Sequence, residues 1–227
     1  MLKLKYLALI PARGGSKGVK NKNIRLVDGK PLISYTINTA KKSECFEDIV
    51  VSTDSEEIAG IAREYGASVP FTRPAELSDD KTKSIDVVIH TLEILGKDYD
   101  AVCFLQPTSP LRKVEDIKGA LVKYEKEGKP TLVSVAKLED PHPHKIKLIK
   151  DNSLIPFIPG TKCEVPRQML PVCYFLNGGI YIVDVNFAKE KQAFFDENTV
   201  PYIMPSERSV NIDTELDLLL AELLIKG

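Results

Sequence analysis

The chain has 227 residues, 43% of them apolar, and its 31 basic and 32 acidic side chains leave a formal net charge of −1. This length suits one α/β domain with a sizeable core, and the charge balance excludes bulk attraction to nucleic acid or to an anionic membrane. Four scattered cysteines (Cys45, Cys103, Cys163, Cys173), with no Cys-x-x-Cys pair, argue against a disulfide framework or zinc site and for a cytoplasmic setting.

Residues 6–12 read as a first strand, too short for a signal peptide, and no run is long enough to span a bilayer. A helix is expected over 31–42, with proline at an early position. A β-branched strand follows at 48–53, then a helix opened by Asp54 or Ser55 as cap, with Glu56 and Glu57 in its first turn and Gly66 at its end. A third short strand is expected at 67–71. The period of Ile85, Val88, Ile89, Leu92 and Leu95 predicts a helix over 84–97. The nearly unbroken apolar stretch 101–105 reads as a strand covered on both faces. A helix at 114–127 and a strand at 131–136 continue the alternation. Residues 138–176 break it: prolines punctuate the stretch, and it reads as an irregular or hairpin excursion serving as a lid or dimer contact. A strand at 178–185 and an amphipathic helix at 214–225 close a single domain, 1–227.

This alternation predicts a doubly wound, mostly parallel sheet flanked by helices, with ligands beyond the carboxyl ends of the strands. Loops leave such ends after Ala12, Thr53 and Leu105. The first of them is the most informative segment of the chain. Between Ala12 and Asn23 it carries Gly14, Gly15 and Gly18, the cations Arg13, Lys17, Lys20 and Lys22, and two asparagines. Glycine lets backbone N–H groups approach an anion, so the loop reads as a phosphate cradle; a solvated basic turn is the alternative. Its spacing fits neither a P-loop nor a dinucleotide fingerprint. His90, His142 and His144 have no paired Ser or Cys in sequence, so a hydrolase triad is not expected.

Seven motifs occur in order: Pro-Ala-Arg-Gly-Gly-Ser-Lys-Gly at 11–18, Lys22-Asn23, Ser52-Thr53-Asp54, the run from Arg73 to Asp80, Leu-Gln-Pro-Thr-Ser-Pro-Leu-Arg at 105–112, Asn-Gly-Gly-Ile-Tyr at 177–181, and Asn211-Ile-Asp-Thr-Glu-Leu-Asp-Leu218. With them the chain resembles the acylneuraminate cytidylyltransferases, which make CMP-activated sialic acids and bacterial relatives, over about 6–225. The resemblance implies a nucleotide-diphospho-sugar transferase-like fold. It also implies that a sugar's anomeric hydroxyl attacks the α-phosphorus of CTP and pyrophosphate leaves. On this basis Ala12, Arg13, Gly14, Gly15, Ser16, Lys17, Lys22, Asn23, Arg73 and Ser84 are expected at the nucleotide. Gln106, Arg167, Tyr181, Phe194 and Phe195 are expected at the sugar, and Arg13, Lys22 and Asp213 in catalysis. Asp213, with Asn211, is expected to hold Mg²⁺ (or Mn²⁺). The usual Asp-Ile-Asp is Asn-Ile-Asp here, which puts a two-carboxylate site in question. Relatives acting on the eight-carbon acid Kdo carry an aspartate where 106–110 has none, so the implied sugar is a nonulosonic acid. A homodimer through 138–176 is implied too. The residues themselves leave bland alternatives open: Ser84 or Asp213 as a helix cap, Arg167 as a surface cation, Phe194 as core. A transferase using another base or sugar, and a non-catalytic sugar-nucleotide module, are the competing functions.

Overall fold

The computed structural model describes residues 4–16, 18–161 and 164–227. Strand β1 (Tyr6–Pro11) is buried along almost its whole length because both its faces are covered. Leu7 and Leu9 point to one apolar cluster, and Tyr6, Ala8 and Ile10 to the other. After the glycine-rich loop, β2 (Leu26–Val27) and β3 (Lys30–Pro31) form a small hairpin. Asp28 and Gly29 at its turn have φ of 46° and 72°, the left-handed pair that a two-residue hairpin demands.

Helix α1 (Leu32–Ser43), strand β4 (Asp48–Ser52) and helix α2 (Glu56–Glu64) follow. Pro31 stands at the N-cap position just outside α1 with no side-chain bond, and the Ser55 hydroxyl caps α2 by accepting from Ile58 N. Next come α3 (Ser84–Leu95), β5 (Ala101–Phe104), α4 (Val114–Glu127) and β6 (Thr131–Lys137). The excursion holds one hairpin, β7 (Lys147–Lys150) and β8 (Ser153–Pro156). The core resumes with β9 (Tyr174–Asp184), α5 (Val185–Lys191), β10 (Val200–Met204) and α6 (Glu215–Lys226).

The main sheet runs in the order β10-β6-β9-β5-β1-β4. All its pairings are parallel except those of β9, which is antiparallel to both β5 and β6. Helices α1, α2 and α4 pack Ile33, Ile37, Ile58, Ile117 and Leu121 on one face. Helices α3 and α5 cover the other with Ile85, Val88, Leu92 and Ala188. A third cluster seats α6 through Leu218 and Ala221 against Val19, Val27, Leu32 and Ile212, beside the glycine-rich loop.

The doubly wound, mostly parallel fold expected from the sequence is therefore present, with local corrections. The strand expected at 67–71 makes only the isolated bridges Val50↔Ser68 and Thr53↔Thr72, because Pro70 offers no N–H to a ladder. Strand β9 begins four residues before the expected 178, at Tyr174, so the end of the excursion belongs to the sheet. Strand β10 was not expected: Pro201 disguises it, and its place at the sheet edge is where a proline is tolerated.

Candidate active site

Because β1, β4 and β5 are parallel, their carboxyl ends meet at one edge of the sheet, where ligands of such folds bind. A cleft of about 520 Å³ opens there. Arg13, Ser16, Lys22, Asn23, Arg73, Ser84, Gln106 and Asp213 all line it, so residues up to 200 positions apart in sequence share one site. Lys17 lies outside the described residues.

The glycine-rich loop is held by its own polar groups. Gly14 N donates to Asp54 Oδ1 at 2.8 Å, which ties it to the turn after β4. Asn23, buried, donates to Arg13 O at 2.9 Å, and Lys22 N donates to Ser16 Oγ at 3.2 Å. Ala12 is buried and extends the β1–β4 ladder through Ser52 O. Gly18 faces the 213 segment so closely that a Cβ there would stand 2.2 Å from Asp213 O. The loop thus carries cations on a rigid frame.

Asp213 faces the cleft with its carboxylate largely exposed. Lys22 Nζ donates to Asp213 Oδ1 at 2.9 Å and to Ile212 O at 2.6 Å. Asn211 Nδ2 donates to Asp213 Oδ2 at 2.9 Å, while Asn211 Oδ1 is buried without a partner. The segment 209–213 is irregular rather than a strand, so no two-residue alternation aligns the two side chains. Asn211 instead turns its amide nitrogen to the carboxylate and orients it. Thr214, not Asp213, caps α6, accepting from Asp217 N. Among the described residues no three His, Cys, Asp or Glu side chains gather as a metal cage. The donor set suits Mg²⁺ all the same, since that ion takes one or two carboxylates and fills its shell with water and substrate phosphate oxygens.

Arg73 is the most unusual cation of the site. Its residue is only 5% exposed, and its Nε and Nη2 have no partner although they stand at the cleft wall. Burial pushes its pKa down; Asp54 opposes the shift and Arg13 adds to it. A buried donor pair without an acceptor is costly, and an anion in the cleft would remove the deficit. Ser84 is the first residue of α3 rather than its cap, and it lines the cleft, exposed.

The wall behind Gln106 is fixed by Arg112, a residue the sequence reading quoted within a motif without a role. Its guanidinium donates to Gly179 O at 2.5 Å, to Thr36 Oγ1 at 3.0 Å and to Gln106 O at 3.3 Å. Burial pushes its pKa down to about 10, against the opposing pull of Cys103 and Asp116. Beneath, Asn177 links Ser134 and Ser209, and Arg208 grips buried Asp116 at 2.7 and 2.9 Å, which anchors the chain just before Asp213. Asp79, Asp80 and Thr82 also line the cleft and were missed. Asp80 stood in a quoted motif, but its contact with Arg13, 67 residues away, leaves no sequence signal.

The remaining predicted residues stand elsewhere in the single chain. Tyr181 and Phe194 pack on Phe104, which lines the cleft, with ring centroids at 6.2 and 4.9 Å. Phe195 lines a smaller apolar hollow with Val133, Leu176 and Val200. Arg167 lies on the excursion, paired with Glu139 Oε2 at 2.7 Å. Gly14, Gly15 and Asn211 flank the cleft without lining it. His142 has a thiol neighbour in space that its sequence setting does not show, Cys173 Sγ at 3.3 Å from Nε2. His142 Nδ1 accepts from His144 N, and Nε2 faces Pro171 O and Cys173 Sγ. Cys163 lies outside the described residues, and Cys45, Cys103 and Cys173 are free thiols.

A glycine-rich, cation-bearing loop at the switch edge of such a sheet, facing a carboxylate, is an arrangement that suits nucleotidyl transfer. Residues 7–155 match the cytidylyltransferase family, and the chain belongs to it. It is 39% identical over 227 residues to the CMP-N,N'-diacetyllegionaminic acid synthase of Legionella pneumophila, covering 98% of this chain and 97% of that protein. It is 38% identical to the N-acylneuraminate cytidylyltransferase of Escherichia coli O18:K1:H7 over 97% of its own length, but spans about half (52%) of that protein. Among solved structures, a CMP:2-keto-3-deoxy-manno-octonic acid synthetase complexed with CTP superposes with a TM-score of 0.73, covering 98% of each chain at 16% identity. That last likeness concerns the fold.

Proposed function

We propose that this cytidylyltransferase moves CMP from CTP to the anomeric hydroxyl of a sialic-acid-like nonulosonic acid. The sugar oxygen attacks the α-phosphorus, the bond to the β-phosphate oxygen breaks, and pyrophosphate leaves. The observation that carries this reading is the meeting in one cleft of Arg13, Lys22, Asp213 and Arg73, whose Nε and Nη2 lack partners. Arg13 and Lys22 neutralise charge on the phosphates, and the backbone amide of Gly15 adds a donor on the same loop. Arg73 and Ser84 hold the nucleoside end, Asn23 keeps the loop curled, and Gln106 reads a polar group of the sugar. Asp213 would hold Mg²⁺ together with phosphate oxygens, where the cation stabilises charge at phosphorus. Asn211 keeps that carboxylate turned to the cleft.

The protein is further proposed to act as a cytoplasmic homodimer. The excursion presents Ile149, Leu154 and Met169 at 80, 72 and 75% exposure, an apolar surface that suits a second copy. Crossing to that copy would bring Arg167 to the sugar carboxylate of the partner's cleft, and Tyr181, Phe194 and Phe195 would shape the sugar side. The free thiols suit a reducing compartment. The test is pyrophosphate release with Mg²⁺, each nucleoside triphosphate in turn, and a panel of neuraminic, legionaminic, pseudaminic and Kdo acids. Release is expected with CTP and a nonulosonic acid; turnover only with another triphosphate, or only with Kdo, would overturn the reading.

A further inference from the structure

A cleft meant for a triphosphate should be strongly positive, yet this one is lined by Asp79, Asp80 and Asp213 as well as by Arg13, Lys22 and Arg73. The three carboxylates are held in different ways. Asp213 is held by Lys22 and Asn211 at the catalytic end. Asp79 is consumed by its own loop, accepting from Lys81 N, Thr82 N and Thr82 Oγ1, each at 2.8 Å. These donors hold its pKa below the ordinary carboxylate value.

The Asp80 carboxylate accepts from Arg13 Nη2 at 2.6 Å. Arg13 leaves from the end of β1, whereas Asp80 sits on the loop between the short turn at Ala75–Leu77 and α3. The pair therefore joins opposite walls of the cleft. Both side chains are about a third or more exposed, 33% and 40%, so incoming anions can reach the guanidinium.

We infer that Asp80 occupies the place of a nucleotide phosphate on Arg13, and that CTP binds by displacing this carboxylate. Deepening the function proposed above, this makes Asp80 an internal competitor that sets phosphate affinity. The exchange moves one ion pair for another: Arg13 gives up the carboxylate of Asp80 and takes a phosphate oxygen, with no bond made or broken. The loop bearing Asp80 also carries Thr82 and leads into Ser84, both at the cleft wall, so release of the carboxylate frees that wall to settle on the nucleoside. When pyrophosphate departs, the carboxylate returns to Arg13 and helps to clear the site.

The inference predicts an affinity gain from the loss of a contact. Calorimetry on the full chain compares the wild type with Asp80→Asn and Asp80→Ala, titrating CTP with magnesium, inorganic pyrophosphate, and cytidine. Exposed ion pairs are modest, so both variants are expected to bind CTP and pyrophosphate about two- to fivefold more tightly, with cytidine unchanged. Unchanged or weaker pyrophosphate binding in the folded variants would overturn the inference and make Asp80 an orienting partner of Arg13. Equal tightening of cytidine would also overturn it, since that would report loop packing rather than charge competition. No CTP binding by the wild type would instead sink the functional reading itself.

Discussion

Arg112 spreads its donors over Gly179 O, Thr36 Oγ1 and Gln106 O, whereas Arg73 leaves Nε and Nη2 without a partner at the cleft wall. The two buried guanidiniums should therefore respond differently to lysine, which keeps the charge and loses the planar fork. Arg73→Lys is expected to raise the KM for CTP about tenfold, or about 1.4 kcal/mol, with urea unfolding unchanged. Arg112→Lys is expected to cost about 2 kcal/mol in urea unfolding, because buried acceptors lose their donors. At Asp213 the expectation is categorical: Asp213→Ala should abolish turnover while the circular dichroism spectrum and melting temperature stay near those of the wild type. Asn211→Asp should lower the Mg²⁺ concentration needed for half-maximal turnover, since it replaces an amide with a second carboxylate. The place of Arg13, Lys22, Arg73 and Asp213 on the cleft was legible because each sits in a short motif at a loop. The contact of Arg112 with Gly179 O and that of Asp80 with Arg13 were not, because each joins residues 67 positions apart.

Two junctions between elements decide the geometry of the site. Gly18 lets the glycine-rich loop and the Asp213 segment touch, and a Cβ 2.2 Å from Asp213 O must push them apart. Gly18→Ala is thus expected to destabilise the protein by about 1–3 kcal/mol and to impair turnover beyond what that loss explains, as read by single-turnover kinetics on the folded fraction. The second junction is the start of α6. Burial works against the charge of Asp217, but the Thr214 hydroxyl and the amides of Asp213 and Thr214 outweigh it and hold its carboxyl below the ordinary range. Such a group adds stability above its unfolded pKa and loses it as pH falls through the lower, folded value. Thr214→Ala should lower stability at pH 7 by about 1 kcal/mol and shrink the acid-induced loss below about pH 4, seen in urea melts at both pH values. Most helices and central strands were readable because their periods and β-branched runs are long. The hairpin of β2 and β3 was passed over although Asp28-Gly29 is a turn signal, and α5 escaped notice because its seven residues show too little period.

Across the whole molecule, the sheet explains why the motif order is also a spatial order. Parallel crossovers return each strand's carboxyl end to the same edge, so alternation was enough to anticipate where the cleft lies. What alternation could not supply was the single reversed strand, β9, or the position of the sugar-side residues, since these depend on how the excursion is used. If two copies share their sites through it, light scattering should give twice the chain mass, and Leu154→Asp with Ile149→Asp should halve it. A mixture of Asp213→Ala and Arg167→Ala chains, unfolded and refolded together, should regain about a quarter of wild-type turnover in the ideal case where half the molecules are mixed dimers, each with one intact site. Separately refolded variants should stay inactive.

Lys137 pairs with Tyr174 in register, and Leu138 N donates to Cys173 O at 2.9 Å. The insert between them consequently leaves and re-enters the sheet through adjoining rungs, like a cassette clipped to a rail. Lengthening such a cassette costs little, about 0.6 kcal/mol for each doubling, so the scaffold can carry inserts of different length between these two rungs without disturbing the sheet.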